Sequence, residues 1–177
     1  MPPPATSHEI QALTVVYRVK LCMSKLEQLQ TTDNILRKVN EMDPYSFEEL
    51  IVELFDNISR YRDVRKTPGS GDQGIDAIAT EKVYKYPGQV DNYTIAIQAK
   101  HYTHTKVNSG MVRNYSKLSG PFKSGMYPSV NAFDRIYIVT SGKFTTPAKE
   151  LLYQKRHSVE SIDSSELAHL IKYTPIS

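Results

Sequence analysis

Asp76, Gln98 and Lys100 are the residues of this chain whose types and spacing suit bond-breaking chemistry. Asp76 stands two residues beyond Gly74, in a segment, Gly74 to Thr80, that reads as a strand opening at the turn-rich run Thr67-Pro68-Gly69-Ser70-Gly71-Asp72. Asp is disfavoured in strands and costly to bury without a partner, so a functional reason for its place outweighs a structural one. Gln98 and Lys100 are spaced by two in a second strand, Tyr93 to Lys100, and so project from one face. If the two strands are neighbours, the three side chains converge. Glu48, at the start of a helix, offers a second carboxylate. Such a set suits hydrolysis of a phosphodiester. Carboxylates hold a hard cation through oxygen, the cation polarises the phosphate and lowers the pKa of a bound water, and a lysine orients that water and offsets developing charge.

The elements that must position these residues follow from periodicity. Phe47, Leu50, Ile51, Leu54, Phe55 and Ile58 form an apolar helical stripe, entered at Asp43-Pro44, with Ser46-x-x-Glu49 as a capping box. Tyr61 to Lys66 reads as a polar edge strand. In the Asp76 strand, Ile75, Ala77 and Ala79 are expected on one face and Asp76 and Ile78 on the other. Tyr84 to Asn92 reads as a hairpin connection turning at Pro87-Gly88. Ile95, Ile97 and Ala99 line one face of the next strand, with Thr94, Ala96, Gln98 and Lys100 on the opposite face. A helix over Met111 to Leu118, stopped by Gly120-Pro121, and a loop over 120 to 132 come next. Then follow a buried strand Ile136 to Thr140, a helix from Thr146-Pro147 to about Arg156, a short strand Val159 to Ile162, and a last helix behind the capping box Asp163-x-x-Glu166. This order implies a mixed α/β domain.

Charge is unevenly placed. The 177-residue chain carries 22 basic and 19 acidic residues, a net +3, which says little as a total. Between Asp91 and Asp134, however, no acidic residue occurs, while Lys100, Lys106, Arg113, Lys117 and Lys123 do, with Tyr102, Tyr115 and Tyr127 interleaved. A polyanion such as a nucleic-acid backbone would favour that stretch. The sole cysteine, Cys22, excludes an intramolecular disulfide and a Cys-rich zinc site. No apolar run is long enough to cross a membrane, and Met1-Pro2-Pro3-Pro4 does not open a secretory signal, so a cytoplasmic protein is expected.

Four segments together resemble the Mrr-like branch of the restriction-endonuclease (PD-(D/E)xK) superfamily. They are Phe47-Glu48-Glu49-Leu50, Gly71-Asp72-Gln73-Gly74-Ile75-Asp76, Gln98-Ala99-Lys100-His101-Tyr102 and Val139-Thr140-Ser141-Gly142-Lys143-Phe144-Thr145, in the family's order over about residues 43 to 172. The resemblance implies a central mixed β-sheet flanked by helices and metal-dependent cleavage of DNA, with Mg²⁺ as cofactor and Mn²⁺ as a substitute. It makes Asp76 the central metal ligand, with Glu48 and the Ala99 backbone carbonyl as further ligands. Gln98 fills the position that most of the superfamily gives to Asp or Glu, and Lys100 orients the attacking water. Asp72 is either an added outer charge or an ordinary turn residue. Lys106, Arg113, Lys117 and Lys143 are the expected DNA contacts. Cutting both strands suits a homodimer, and a separate recognition partner is open.

The bland readings of several residues stand beside these. Glu49 is expected to cap its helix, His101 and His104 to lie on the surface or on a DNA backbone, and Thr140 and Ser141 to end a strand. Tyr102 and Tyr115 are expected to pack. Residues 1–42 read as an extension with a Pro-rich start and one or two helices, the second near Thr32 with Ile35, Leu36 and Val39; residues 43–177 read as the nuclease domain. Two other functions fit: a structure-specific nuclease of the junction-resolvase kind, and a non-catalytic nucleic-acid-binding module.

Overall fold

A computed structural model of the chain describes residues 31–67, 74–121 and 132–174. Two helices, α1 (Thr32–Asn40) and α2 (Pro44–Asn57), lead into three strands, β1 (Tyr61–Lys66), β2 (Ala77–Tyr86) and β3 (Gln89–Lys100). Then follow α3 (Ser109–Ser116), β4 (Gly120–Pro121), β5 (Ala132–Phe133), β6 (Arg135–Thr140), α4 (Thr146–Gln154), β7 (Val159–Ile162) and α5 (Ser164–Tyr173). The five main strands form one mixed sheet in the order β1-β2-β3-β6-β7. β1, β2 and β3 pair antiparallel; β3 with β6 and β6 with β7 are parallel. The two-residue strands β4 and β5 pair separately.

The sheet divides two apolar layers. On one face, Ala77, Ala79, Ile95, Ile97 and Ala99 pack with Phe47, Leu50, Ile51, Leu54 and Phe55 of α2 and Leu167, Ala168 and Ile171 of α5. On the other, Ile78, Ala96, Ile136 and Ile138 meet Val112 of α3 and Ala148 and Leu152 of α4. Near-continuous apolar β6 is buried on both sides because helices cover both its faces. α1 lies ahead of residue 43, where the domain was expected to start, and joins the first layer through Ile35 and Val39. The expected Pro-rich start lies outside the described residues.

Local chemistry explains the element ends. Asp43 caps α2, accepting from Ser46 N–H at 3.0 Å and from the Ser46 hydroxyl at 2.6 Å, with Pro44 at the first helical position. These bonds hold the Asp43 carboxyl below the ordinary aspartate value. The expected capping box at Ser46 and Glu49 does not form, because the helix begins one residue after Asp43 and Ser46 is already inside it. The box at Asp163 and Glu166 forms as expected. β2 starts at Ala77 rather than Gly74 and continues to Tyr86, so only Pro87 and Gly88 remain as the turn, with Gly88 at φ +85°. The β-formers Tyr84 and Val90 pair across this ladder and extend the hairpin. Ile75 departs from expectation too. It packs with Ile78 and Ala96, not with Ala77 and Ala79, because it precedes the strand and its alternation.

Candidate active site

Asp76 sits just ahead of β2, held from both sides by backbone. Its N–H donates to the Ile97 carbonyl at 2.9 Å, and its carbonyl accepts from Thr67 N–H at 3.0 Å. This fixes the carboxylate against the end of β3. Asp76 Oδ2 accepts from Ala99 N–H at 2.7 Å and from the Gln98 side-chain amide. The same Gln98 Nε2 also donates to the Ala99 carbonyl at 3.1 Å. One amide group therefore lies between two oxygens, a carboxylate and a carbonyl, both of the hard kind that Mg²⁺ or Ca²⁺ accepts.

Gln98 is buried, and its Oε1 has no hydrogen-bond partner among the described residues. That oxygen lies against Gly74, where a Cβ would stand 2.9 Å from it. Gly74 also has φ +81°, a conformation that L side chains rarely adopt. Glycine is thus required there twice, by backbone conformation and by the approach of Gln98.

Lys100, half-buried, places its ammonium 5.6 Å above the ring centroid of Tyr115 on α3. Its carbonyl accepts from the Thr140 hydroxyl at 2.9 Å and from Ser141 N–H at 3.2 Å, while Ser141 Oγ accepts from Tyr102 N–H at 2.8 Å. Thr140 and Ser141 thus end their strand, as expected, and also buttress the end of β3. Gly142 lies so close to Tyr102 that a Cβ would meet its carbonyl at 2.8 Å.

The other expected site residues are placed less centrally. Glu48 is half-buried on α2, 3.7 Å from Lys66. Glu49, expected to cap the helix, instead bonds Lys66. Asp72 lies outside the described residues. Lys106, Arg113 and Lys117 are exposed on the approach to α3 and along it. Lys143, expected on DNA, is drawn into an ion pair with Asp163 at 3.2 Å and bonds Ser165, so it serves the start of α5. His101 is half-buried rather than exposed. Its Nε2 donates to the Val39 carbonyl at 3.0 Å, which pins α1, and its ring packs on Phe47. His104 is exposed. Lys66 is the site neighbour that sequence reasoning missed; no spacing rule links it to carboxylates on another element.

No group of three or more His, Cys, Asp or Glu side chains gathers among the described residues. The oxygen set of Asp76, Ala99 and Gln98, the last with a buried oxygen lacking a donor, still suits a hard cation. A cavity of ≈ 320 Å³ between α4 and β7, lined among others by Leu152, Tyr153 and Val159, contains none of these residues. No helix among the described residues is long and apolar enough to cross a membrane.

The restriction endonuclease family profile Mrr_cat matches residues 39–171. The chain belongs to this restriction endonuclease family. Two solved restriction endonucleases share the fold of this family member. The MspJI restriction endonuclease in complex with a 27-mer oligonucleotide matches with TM-score 0.50 and 16% identity, covering 97% of this chain and 35% of that one. The DNA modification-dependent restriction endonuclease AspBHI matches with TM-score 0.54 and 16% identity, covering 84% of this chain and 37% of that one. This chain therefore spans little more than a third of either neighbour. No curated protein matches it. The mixed sheet flanked by helices, expected from the sequence, is the fold found.

Proposed function

We propose that this chain is a divalent-cation-dependent DNA endonuclease of a restriction or defence system. The observation that carries the reading is the junction of Asp76 Oδ2, the Gln98 amide and the Ala99 carbonyl at the end of β3, with Lys100 next in the chain. Asp76, the Ala99 carbonyl and Glu48 would hold the cation, with the Gln98 amide fixing the first two. Mg²⁺, with Mn²⁺ as a substitute, would polarise the scissile phosphate. Lys100 orients the attacking water and offsets the charge that develops on the phosphate. Lys106, Arg113 and Lys117 face solvent near α3 and would pair with backbone phosphates. Lys143 is left out, because Asp163 holds it.

One such site per chain cuts one strand, so cleavage of a duplex would use two copies. AspBHI is described as modification-dependent, which makes modified duplex a substrate to include in the test. The test is incubation of the full chain with plain, modified and branched duplex, with and without Mg²⁺, beside Lys100→Ala. Mg²⁺-dependent cutting of a linear duplex that Lys100→Ala loses while still binding DNA is the expected result. Preference for branched DNA would replace the restriction reading with a structure-specific one. Salt-sensitive binding without cutting of any substrate would favour a binding module.

A further inference from the structure

Glu48 and Glu49 begin α2 as adjacent carboxylates, and Lys66 treats them differently. Its ammonium bonds Glu49 Oε1, lies 3.7 Å from Glu48 Oε2, beyond hydrogen-bond reach, and sits 3.7 Å from the ring centroid of Tyr45. Burial opposes the Lys66 charge, but the hydrogen bond and charge of Glu49, with Tyr45 and Glu48 beyond, raise its pKa above the ordinary lysine value. One positive charge against two negative charges leaves one negative charge over. The closer contact makes Glu49, whose side chain is 17% exposed, the more fully neutralised acid, and leaves Glu48, at 31% and in a longer ion pair, with the larger share of unanswered charge. The following residue ties this arrangement to the site. Thr67 N–H donates to the Asp76 carbonyl at 3.0 Å, and the Thr67 hydroxyl bonds the Ile75 carbonyl.

We infer that Lys66 is a positioning residue that neutralises Glu49 and so leaves Glu48 alone to join Asp76 at a divalent cation; the inference rests on the cation-site reading above. Lys66 thereby sets the charge, and with it the cation affinity, of a site it does not enter. Removing its charge while keeping its stem frees Glu49 as an additional acid. Removing Glu49 releases Lys66 to Glu48, which then competes with the cation.

The test is Mn²⁺ binding to the full chain without DNA, read by calorimetry, with a melting curve for each variant. Lys66→Met should tighten Mn²⁺ binding about tenfold, and Glu49→Gln should weaken it about tenfold, from the Coulomb effect of one nearby charge on a divalent ion. The double variant restores the charge balance and should return to within about twofold of wild type, as should Lys66→Arg alone. If Lys66→Met does not fold, Glu49→Gln carries the decision. Single variants that stay within twofold of wild type, or that shift in the same direction, overturn the role of Lys66. Asp76→Asn separates this from a failure of the underlying reading. If it abolishes Mn²⁺ binding, the cation site stands whatever Lys66 does. If it binds Mn²⁺ as wild type does, or if wild type binds none, the cation-site reading fails and the inference with it.

Discussion

Two carboxylates on the same stretch of chain are held in opposite ways. Glu81, within β2, is fully buried and surrounded by partners that answer its charge. Arg60 bonds it, Arg135 Nη1 lies 3.1 and 3.2 Å from its two oxygens, and the Tyr137 hydroxyl donates at 3.1 Å. Burial, with Tyr61 and Glu81 nearby, pushes the Tyr137 phenol well above its usual pKa, so it remains a donor. Asp76, just ahead of the same strand, is half-buried and receives Ala99 N–H and the Gln98 amide, both neutral. A buried carboxylate met by two guanidinium groups ties the turn ahead of β1 to β2 and β6 and has no charge left for a ligand. The two amides fix the geometry of the Asp76 carboxylate without bringing a positive charge to it. The two acids differ in the type of partner more than in burial, and on the proposed function that difference is what separates a structural acid from a functional one.

The comparison can be broken by exchanging what is lost at each end. Asp76→Asn should lower cleavage about 10³-fold or more, the ~4 kcal/mol that such electrostatic groups supply, while the melting transition stays in place. Glu81→Ala should do the reverse. It leaves Arg135, whose side chain is only 14% exposed, without its counter-charge and should destabilise the fold by ~3–5 kcal/mol in denaturant titration. Cleavage by the fraction still folded should be near wild type. Gly74→Ala falls between the two: the φ of +81° costs ~1–2 kcal/mol in a side-chain-bearing residue, and the new methyl displaces Gln98 Oε1. Stability and cleavage should therefore fall together.

The smallest effect sharpens the same contrast at a half-buried acid. Asp163 caps α5. Burial works against its charge, but the N–H of Ser165, the Lys143 ammonium and the N–H of Glu166 hold its carboxyl below the ordinary value. A lowered folded pKa means that the stabilisation is present in full above the unfolded value, ~3.9, and is lost as pH falls through the folded one. Asp163→Ala should cost ~1 kcal/mol at neutral pH, and the gap from wild type should close below about pH 4. Denaturant midpoints across that range measure it.

The sequence made the scaffold legible where periodicity and caps agree. The stripe of α2, the alternation of Ile95, Ile97 and Ala99, and the box at Asp163 each depend on residues close together in the chain, and each stands as expected. The meeting of Asp76 with Gln98 was legible because neighbouring antiparallel strands bring such segments side by side. What was not legible came from contacts between distant segments. Glu49 was expected to cap a helix, but the cap is Asp43 and Lys66 takes its carboxylate. The pairing of Lys143 with Asp163 was not legible either, because Asp163 comes within reach only once β7 and α5 are in place. Ile75 was assigned to the wrong face, because the strand starts later than its apolar residues suggest. For Glu49 and Lys143, local pattern set the element and tertiary packing chose the partner.

The central claim, that the Asp76 end of β2 is the catalytic one, is tested most directly by Mg²⁺-dependent nicking of supercoiled plasmid. Asp76→Asn would be assayed beside wild type in preparations whose melting curves coincide. Loss of nicking with DNA binding retained is the predicted result. Nicking by Asp76→Asn at the wild-type rate would contradict it and place the chemistry elsewhere in the chain.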